Sequence, residues 1–238
     1  MTRLVWDDTS EKFYETGVSQ CVLYPMGANG QYANGVAWNG LTSVSENPSG
    51  AEETALYANN KKYLSLTSKE EFGATIEAYT YPDEWMECDG SKELSANSGV
   101  LVGQQTRKIF GLCYRTELGN DVEGDDYGYK IHIIYNAKAS PSQKSYATIN
   151  DSPEAITFSY ELTTTPIDMP GELKPASTIV IDSTKCSDDA LTRIENKLYG
   201  TDSSEPQLPT PEQIIGLLTN SQSGGQTGGQ TGGQTGGN

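Results

Sequence analysis

Side chains that carry enzyme chemistry are sparse in this chain of 238 residues, which contains a single histidine. His132 lies in the middle of a predicted strand, on the more polar face of that strand. A histidine base normally needs an orienting carboxylate and a cleft, so this placement favours a solvated or partner-facing residue. Neither G-x-S-x-G nor G-x-x-x-x-G-K occurs in the sequence. We therefore expect a protein that is not an enzyme and that uses no cofactor.

An acidic segment is the best candidate for a metal site, because it contains Asp121, Glu123, Asp125 and Asp126. Oxygen ligands at this spacing can bind calcium. The match to an EF-hand loop is poor, since Gly124 is misplaced and no acid follows at the closing position. Charge runs usually mark exposed loops. A solvated turn between two strands is therefore the preferred interpretation, and no metal is predicted.

Paired carboxylates for glycoside hydrolysis stay open, because any 32 acidic residues offer pairs. Such sites hold two acids within several ångströms, beside aromatic side chains that stack on sugars. Trp6, Trp38 and Trp85 are far apart in the sequence, and no motif joins them to acids. Residue chemistry alone therefore predicts an acidic, mainly β protein.

The formal net charge of −16 argues against a protein that grips nucleic acid. The 16 lysines and arginines are scattered, and only Lys61-Lys62 and Arg107-Lys108 are adjacent. A protein that lets nucleic acid pass without binding it is compatible with this charge.

The four cysteines, Cys21, Cys88, Cys113 and Cys186, form no C-x-x-C pair. This spacing favours free and mostly buried thiols in a reducing compartment. Residues 1–15 contain no apolar run that would direct export, and no segment has the apolar length of a membrane span. We expect a protein made in a cytoplasm, without membrane anchoring.

Two segments alternate strictly between apolar and polar residues, as strands with one buried and one wet face do. In Ile156–Thr165 the residues Ile156, Phe158, Tyr160 and Leu162 share one face. In Phe72–Tyr81 the residues Ala74, Ile76 and Ala78 do the same. Further strands are predicted over 18–24, 127–138, 146–150 and 178–182, and a long strand or strand pair over 100–118.

The predicted organisation is an N-terminal arm (1–17), a β domain (18–222) and a Gly/Gln/Thr repeat tail (223–238). The β domain contains a long loop excursion (27–68), one helix (187–199) and a C-terminal arm (200–222). Ser187 is a plausible N-cap of the helix and Gly200 ends it. The repeat carries no charge and predicts a flexible coil that adds no core.

Longer stretches of the sequence carry a family resemblance. They read Y-A-N-G-V-A-W-N-G-L-T-S-V-S-E from Tyr32, L-Y-A-N-N-K-K-Y-L-S-L-T-S from Leu56, E-F-G-A-T-I-E-A-Y-T-Y-P-D-E-W-M-E-C-D-G from Glu71, G-Q-Q-T-R-K-I-F-G-L-C-Y-R-T from Gly103, G-N-D-V-E-G-D-D-Y-G-Y-K-I-H-I-I-Y from Gly119, and Y-A-T-I-N-D-S-P-E-A-I-T-F-S-Y-E from Tyr146. Together they resemble the major tail protein (tail tube protein) family of long-tailed, non-contractile bacteriophages. The resemblance covers about residues 15–218 and excludes the repeat.

This resemblance implies a mainly β fold, a β-sandwich or partly open barrel with one flanking α-helix. It implies homohexameric rings that stack into a virion tail tube, in which neighbouring subunits complete one continuous β-barrel around a lumen. The implied partners are further copies of the chain, the tape measure protein in the lumen, and tail terminator and distal tail or baseplate proteins at the ends. Phage DNA would pass in transit without specific binding, during genome ejection. Assembly would take place in the cytoplasm of the bacterial host.

On this interpretation the two alternating strands form the lumen sheet, and their apolar residues pack under the helix. Their polar faces would line the channel with Thr75, Glu77, Thr157, Ser159, Glu161 and Thr163. Hydroxyls and carboxylates offer nothing that holds a phosphate. The alternative for this face is simple exposure to solvent, because wet faces are common on antiparallel sheets.

The loop excursion is the candidate stacking loop, and both arms are further candidates for contact between subunits. Stacking rings of such an acidic chain needs local charge complementarity, salt screening or apolar contacts. The candidate inter-subunit and inter-ring residues are Lys61, Lys62, Arg107, Lys108, Leu217 and Leu218.

Two other functions stay open. The first is a monomeric acidic β-sandwich that serves as a carbohydrate-binding or adhesion module, with Tyr and Trp faces and calcium in the turn at 121–126. The second is an acidic β-fold hydrolase, which the missing motifs disfavour.

Overall fold

The computed structural model of the chain describes residues 3–96, 98–149, 151 and 154–219. The described part is mainly β, as predicted, and the predicted repeat tail (223–238) lies outside it. The strands are β1 (Phe13–Pro25), β2 (Val36–Ala37), β3 (Leu41–Glu46), β4 (Glu53–Ala58), β5 (Lys61–Thr67), β6 (Gly73–Ala78), β7 (Lys92–Glu93), β8 (Leu101–Val102), β9 (Ile109–Asn120), β10 (Gly124–Ala139), β11 (Phe158–Thr164) and β12 (Thr178–Asp182). The helices are α1 (Trp85–Cys88), α2 (Asp188–Tyr199) and α3 (Pro211–Thr219).

One antiparallel sheet of eight strands organises the fold, in the order β2-β1-β9-β10-β11-β6-β3, with β12 paired to β10. Its centre is the long hairpin of β9 and β10. Asn120 closes the turn of this hairpin, because its side-chain oxygen accepts hydrogen bonds from the backbone N–H groups of Val122 and Glu123 at 3.0 and 2.6 Å. The pairs β4–β5 and β7–β8 are separate two-stranded sheets.

The large sheet curls until β1, next to the short edge strand β2, meets the opposite edge strand β3. Just after β2, the backbone N–H of Trp38 donates to the Cys21 carbonyl of β1 at 2.8 Å, and the hydroxyl of Tyr114 on β9 donates to the Glu46 carboxylate of β3 at 2.7 Å. No ladder of backbone hydrogen bonds joins β1 to β3 in the part of the chain that the structure describes. The result is a partly open barrel, and we call the unpaired junction of β1 and β3 the seam.

Each face of the curled sheet carries its own apolar core. Alternation along β10 directs Ile134 and Ala137 into the barrel, and Ile131 and Ile133 toward the helices. The core inside the barrel contains Trp38, Trp85, Tyr160, Phe110, Leu112, Ile76 and Leu162. The second core packs α2 and α3 against β1, β9, β10 and β12. Burial of each large apolar side chain contributes about 1.5–3 kcal/mol, so these cores are the main source of stability.

The placement of α2 corrects one expectation. The apolar residues of β6 and β11, among them Ile76 and Leu162, fill the inside of the barrel rather than packing under α2. The helix covers the other half of the sheet, where Ile194 and Leu198 are fully buried. Within the part of the chain that the structure describes, the outer faces of β3, β6 and β11 therefore have no helical cover.

The expectation of a single flanking helix is wrong, because α3 forms within the predicted C-terminal arm. Thr210 and Gln213 form a reciprocal cap: Gln213 N–H donates to Thr210 Oγ1 at 3.3 Å, and Thr210 N–H donates to Gln213 Oε1 at 3.0 Å. Pro211 occupies the first helical position, which suits its fixed φ. Ile214 is buried against the core beneath α2.

Several predicted strands have different bounds in the structure. β11 begins at Phe158, so Ile156 is 38% exposed instead of buried with the rest of its predicted face. β1 starts at Phe13, inside the predicted arm, because residues 13–16 pair with residues 117–120 of β9. Residues 146–149 form no strand. The segment 100–118, predicted as one long strand or a strand pair, forms two strands, β8 and β9.

The four cysteines are free thiols, as predicted. Cys21, Cys88 and Cys113 are buried, and Cys186 is half-buried. Burial raises the pKa of both the Cys88 thiol and the Cys113 thiol to about 12.

Candidate functional site

The uncovered outer surface of β3, β6 and β11 is polar, and we call it the polar face. Strand register places Thr75 opposite Glu161, and Glu77 opposite Ser159. Residues that lie directly opposite on antiparallel strands share a face. The structure therefore brings together most of the predicted channel-lining residues, namely Thr75, Glu77, Ser159, Glu161 and Thr163. Thr157 is exposed just before β11 begins.

Hydrogen bonds from β3 and its end hold part of the polar face in place. Ser43 Oγ donates to Glu77 Oε2 at 2.9 Å, and Asn47 Nδ2 donates to Thr75 Oγ1 at 3.1 Å. Glu161 remains exposed beside them. Lys138 lies opposite Thr163, at the margin of this surface. The polar face thus presents carboxylates among hydroxyls, a combination that repels a phosphate backbone.

The strands β4 and β5 form a hairpin within the predicted stacking loop, and we call it the projecting hairpin. Asn59 and Asn60 have φ angles of 51° and 62°, the left-handed pair that a tight two-residue turn requires. Ser49 and Glu71 close its base through two backbone hydrogen bonds of 2.8 Å. Its large apolar side chains are exposed: Leu56 by 41%, Tyr57 by 73%, Tyr63 by 72%, Leu64 by 38% and Leu66 by 55%.

The two candidate lysines lie beside the turn of the projecting hairpin. Lys62 Nζ contacts Glu53 Oε1 at 2.8 Å, and more than half of each side chain is exposed. The hydrogen bond from Lys62 lowers the pKa of Glu53. An exposed ion pair contributes little to stability, so Lys62 is readily available to another carboxylate. Lys61 is exposed next to it.

The candidates Arg107 and Lys108 lie immediately before β9, and both contact residues of their own subunit. Lys108 forms an ion pair with Glu87, and both side chains are partly exposed. Arg107 packs beside Gly90. A Cβ added at Gly90 would lie 3.1 Å from the Cγ of Arg107. Its Nε is buried without a hydrogen-bond partner among the described residues.

The candidates Leu217 and Leu218 differ in exposure, because they lie on different sides of α3. Leu217 packs against the core beneath α2, and its carbonyl accepts hydrogen bonds from Arg193 Nε and Nη2 at 2.9 and 2.8 Å. Leu218 is 47% exposed, and Ile215 beside it is 44% exposed. Of the two leucines, Leu218 is the one available to another molecule.

The acidic turn holds the N-terminal segment against the β9–β10 hairpin. Asp121 Oδ1 accepts a hydrogen bond from the Ser10 N–H at 3.0 Å. Asp125 Oδ1 accepts one from the Tyr14 hydroxyl at 2.8 Å, and this bond raises the pKa of Tyr14. Over residues 3–96, 98–149, 151 and 154–219, no group of three or more His, Cys, Asp or Glu side chains is placed to hold a metal ion.

His132 lies at the seam and is largely buried within the subunit, so the solvated position, one of the two expected for it, is wrong. Its side chain is 14% exposed, and its ring stacks on Tyr114 with centroids 4.7 Å apart. Glu15 of β1 and Glu46 of β3 flank the ring at 3.5 and 3.6 Å. The curl of the sheet brings these residues together from distant parts of the sequence, so no local motif could have revealed the cluster.

Comparison of the sequence with protein-family models gives no match, and comparison with curated proteins gives none. Within the described residues, the helices are too short or too polar to cross a membrane.

Proposed function

We propose that this protein is a structural virion subunit that self-assembles as stacked hexameric rings into a bacteriophage tail tube. The observation that carries this proposal is the projecting hairpin, which exposes three leucines and two tyrosines. A two-stranded hairpin by itself is marginally stable in water, and large exposed apolar patches usually mark interaction sites. A second copy of the chain is the occupant that the family resemblance implies.

The polar face supports the role of a conduit. It places Glu77 and Glu161 among hydroxyl groups on a surface that no helix of the described residues covers. Lining a channel with this surface would let DNA pass without specific binding, because carboxylates repel phosphates. The tape measure protein would occupy the same channel before DNA does.

The outer edge of β3 supports ring formation. This strand ends the sheet order and meets β1 at the seam without a ladder, so among the described residues its backbone groups on that side lack a strand partner. Free strand edges are templates for pairing with another chain. Pairing between subunits would give one continuous barrel, with terminator and distal tail proteins capping the two ends of the tube.

The test is assembly of the purified protein with and without the projecting hairpin. Residues 53–67 can be replaced by Asn-Gly, because Ser49 and Glu71 hold the base of the hairpin together. We expect electron microscopy to show uniform hollow tubes for the wild type. We expect sedimentation to show a folded protein that does not stack into tubes for the shortened variant.

A wild-type protein that stays monomeric at high concentration would contradict the proposal. If that monomer gained thermal stability from calcium and bound glycans, the function of a carbohydrate-binding or adhesion module would replace that of a tail tube subunit. Circular dichroism of the shortened variant serves as the control for folding.

A further inference from the structure

Three Asn-Gly steps follow one another at a spacing of five residues, beginning at Asn29, Asn34 and Asn39. The side chains of all three asparagines are exposed. In such a step the backbone nitrogen of the glycine can attack the side-chain carbonyl carbon of the asparagine, because the two groups are neighbours and glycine has no side chain in the way. The attacking nitrogen must first lose its proton, so a hydrogen bond that this N–H donates opposes the reaction.

The structure separates the three steps by the hydrogen bond of each glycine N–H. The Gly30 N–H donates to the Gly27 carbonyl at 3.1 Å, and the Gly35 N–H donates to the Pro206 carbonyl at 2.8 Å. The Gly40 N–H has no acceptor among the described residues. Its proton is therefore the one that base can remove without breaking a hydrogen bond of the fold.

The asparagine side chains add a second difference. Asn29 is held in place, because its Oδ1 accepts from the Gln31 N–H at 3.1 Å and its Nδ2 donates to Gln31 Oε1 at 3.4 Å. The side chains of Asn34 and Asn39 form no hydrogen bond with the described part of the chain. The glycine N–H is thus the feature that distinguishes Asn39 from Asn34.

We propose that Asn39 is a self-modification site, at which the folded protein slowly converts the asparagine into an aspartate or an isoaspartate. The deprotonated nitrogen of Gly40 forms a bond to Asn39 Cγ, the Cγ–Nδ2 bond breaks, and Nδ2 leaves as ammonia with a proton from water. The product is a succinimide ring. Water then adds to either ring carbonyl and opens the ring, so the whole reaction consumes one water and releases one ammonia.

The modified residue lies at the entry to β3, the edge strand at the seam. The turn is fixed on both sides, because the Trp38 N–H donates to the Cys21 carbonyl at 2.8 Å and the Gly40 carbonyl accepts from the Tyr79 N–H at 2.8 Å. An isoaspartate adds a CH₂ group to the main chain between these two hydrogen bonds, so the start of β3 loosens. This inference concerns a single subunit and does not depend on the proposed tail tube.

Peptide mapping of the full chain by mass spectrometry, after incubation at pH 8, tests the proposal. We expect Asn39 to lose its amide about fivefold faster than Asn29 or Asn34, because the hydrogen bond of the glycine N–H slows the other two steps by about that factor. In guanidinium these hydrogen bonds are absent, so the three sites should react at similar rates. An isoaspartate-specific methyltransferase should label the aged wild type, and Asn39→Gln should lose most of this label.

The unfolded chain separates the effect of the fold from that of the sequence. Equal rates at the three sites of the folded protein would overturn the proposal, and so would the same order of rates in guanidinium. Amide hydrogen exchange checks the effect on β3. We expect isoaspartate-containing chains to exchange the Trp38 or Tyr79 amide about fivefold faster than fresh protein. Unchanged exchange at both amides would contradict a loosened start of β3.

Discussion

Replacing the leucines of the projecting hairpin with serine is expected to weaken assembly without unfolding the subunit. Leu56 lies directly opposite Leu64, and Leu66 follows two residues later on the same face. Their exposed fractions of 41%, 38% and 55% together equal about one and a third leucine side chains. Because full burial of a leucine contributes about 1.5–3 kcal/mol, covering this face contributes about 2–4 kcal/mol per subunit.

The triple variant L56S/L64S/L66S should therefore raise the critical concentration for tube formation by about 30- to 700-fold. Pelleting across a concentration series, with electron microscopy of the pellets, measures this quantity. The matched control is Val122→Ser, which removes a 60% exposed apolar side chain from the β9–β10 turn. An unchanged critical concentration would refute the role of the hairpin, as would an equal increase in the control.

Three further predictions concern the subunit itself. At pH 8 a thiol reagent should label Cys186 quickly and the other thiols only after denaturation, since burial raises the pKa of Cys113 to about 12. Tyr24→Phe should lower the free energy of unfolding in a denaturant titration by about 1–2 kcal/mol, because the buried hydroxyl donates to a carbonyl of α2. Burial opposes ionisation of Glu15, but hydrogen bonds from Lys130 and Thr116 lower its pKa below 4.5. This group therefore stabilises the fold above that value and loses its contribution as the pH falls, so Glu15→Gln should flatten the acid side of a stability profile.

The polar face was predictable because strand alternation is a local property. The residues of β6 and β11 reveal their two faces through a period of two, and the register of the sheet then sets them side by side. The residues at which the strands begin and end were less predictable. Ile156 continues the alternation but precedes the strand, since pairing with β6 begins at Phe158.

The position of α2 depended on topology that the sequence pattern does not encode. Both halves of the sheet offer apolar residues, and only the order of the strands decides which half the helix covers. For α3 a local signal was present, because Thr210-Pro-Glu-Gln213 matches a capping box followed by apolar residues. His132 carried no such signal, since its carboxylate neighbours come from β1 and β3.

A reconstruction of assembled particles by electron cryomicroscopy tests the proposed function most directly. We predict stacked rings of six subunits around an open channel, with Glu77 and Glu161 facing the lumen and the projecting hairpin contacting a neighbouring subunit. Rings with either carboxylate on the outer wall would contradict the assignment of the polar face. A preparation that contains only monomers at every concentration would contradict the tail tube itself.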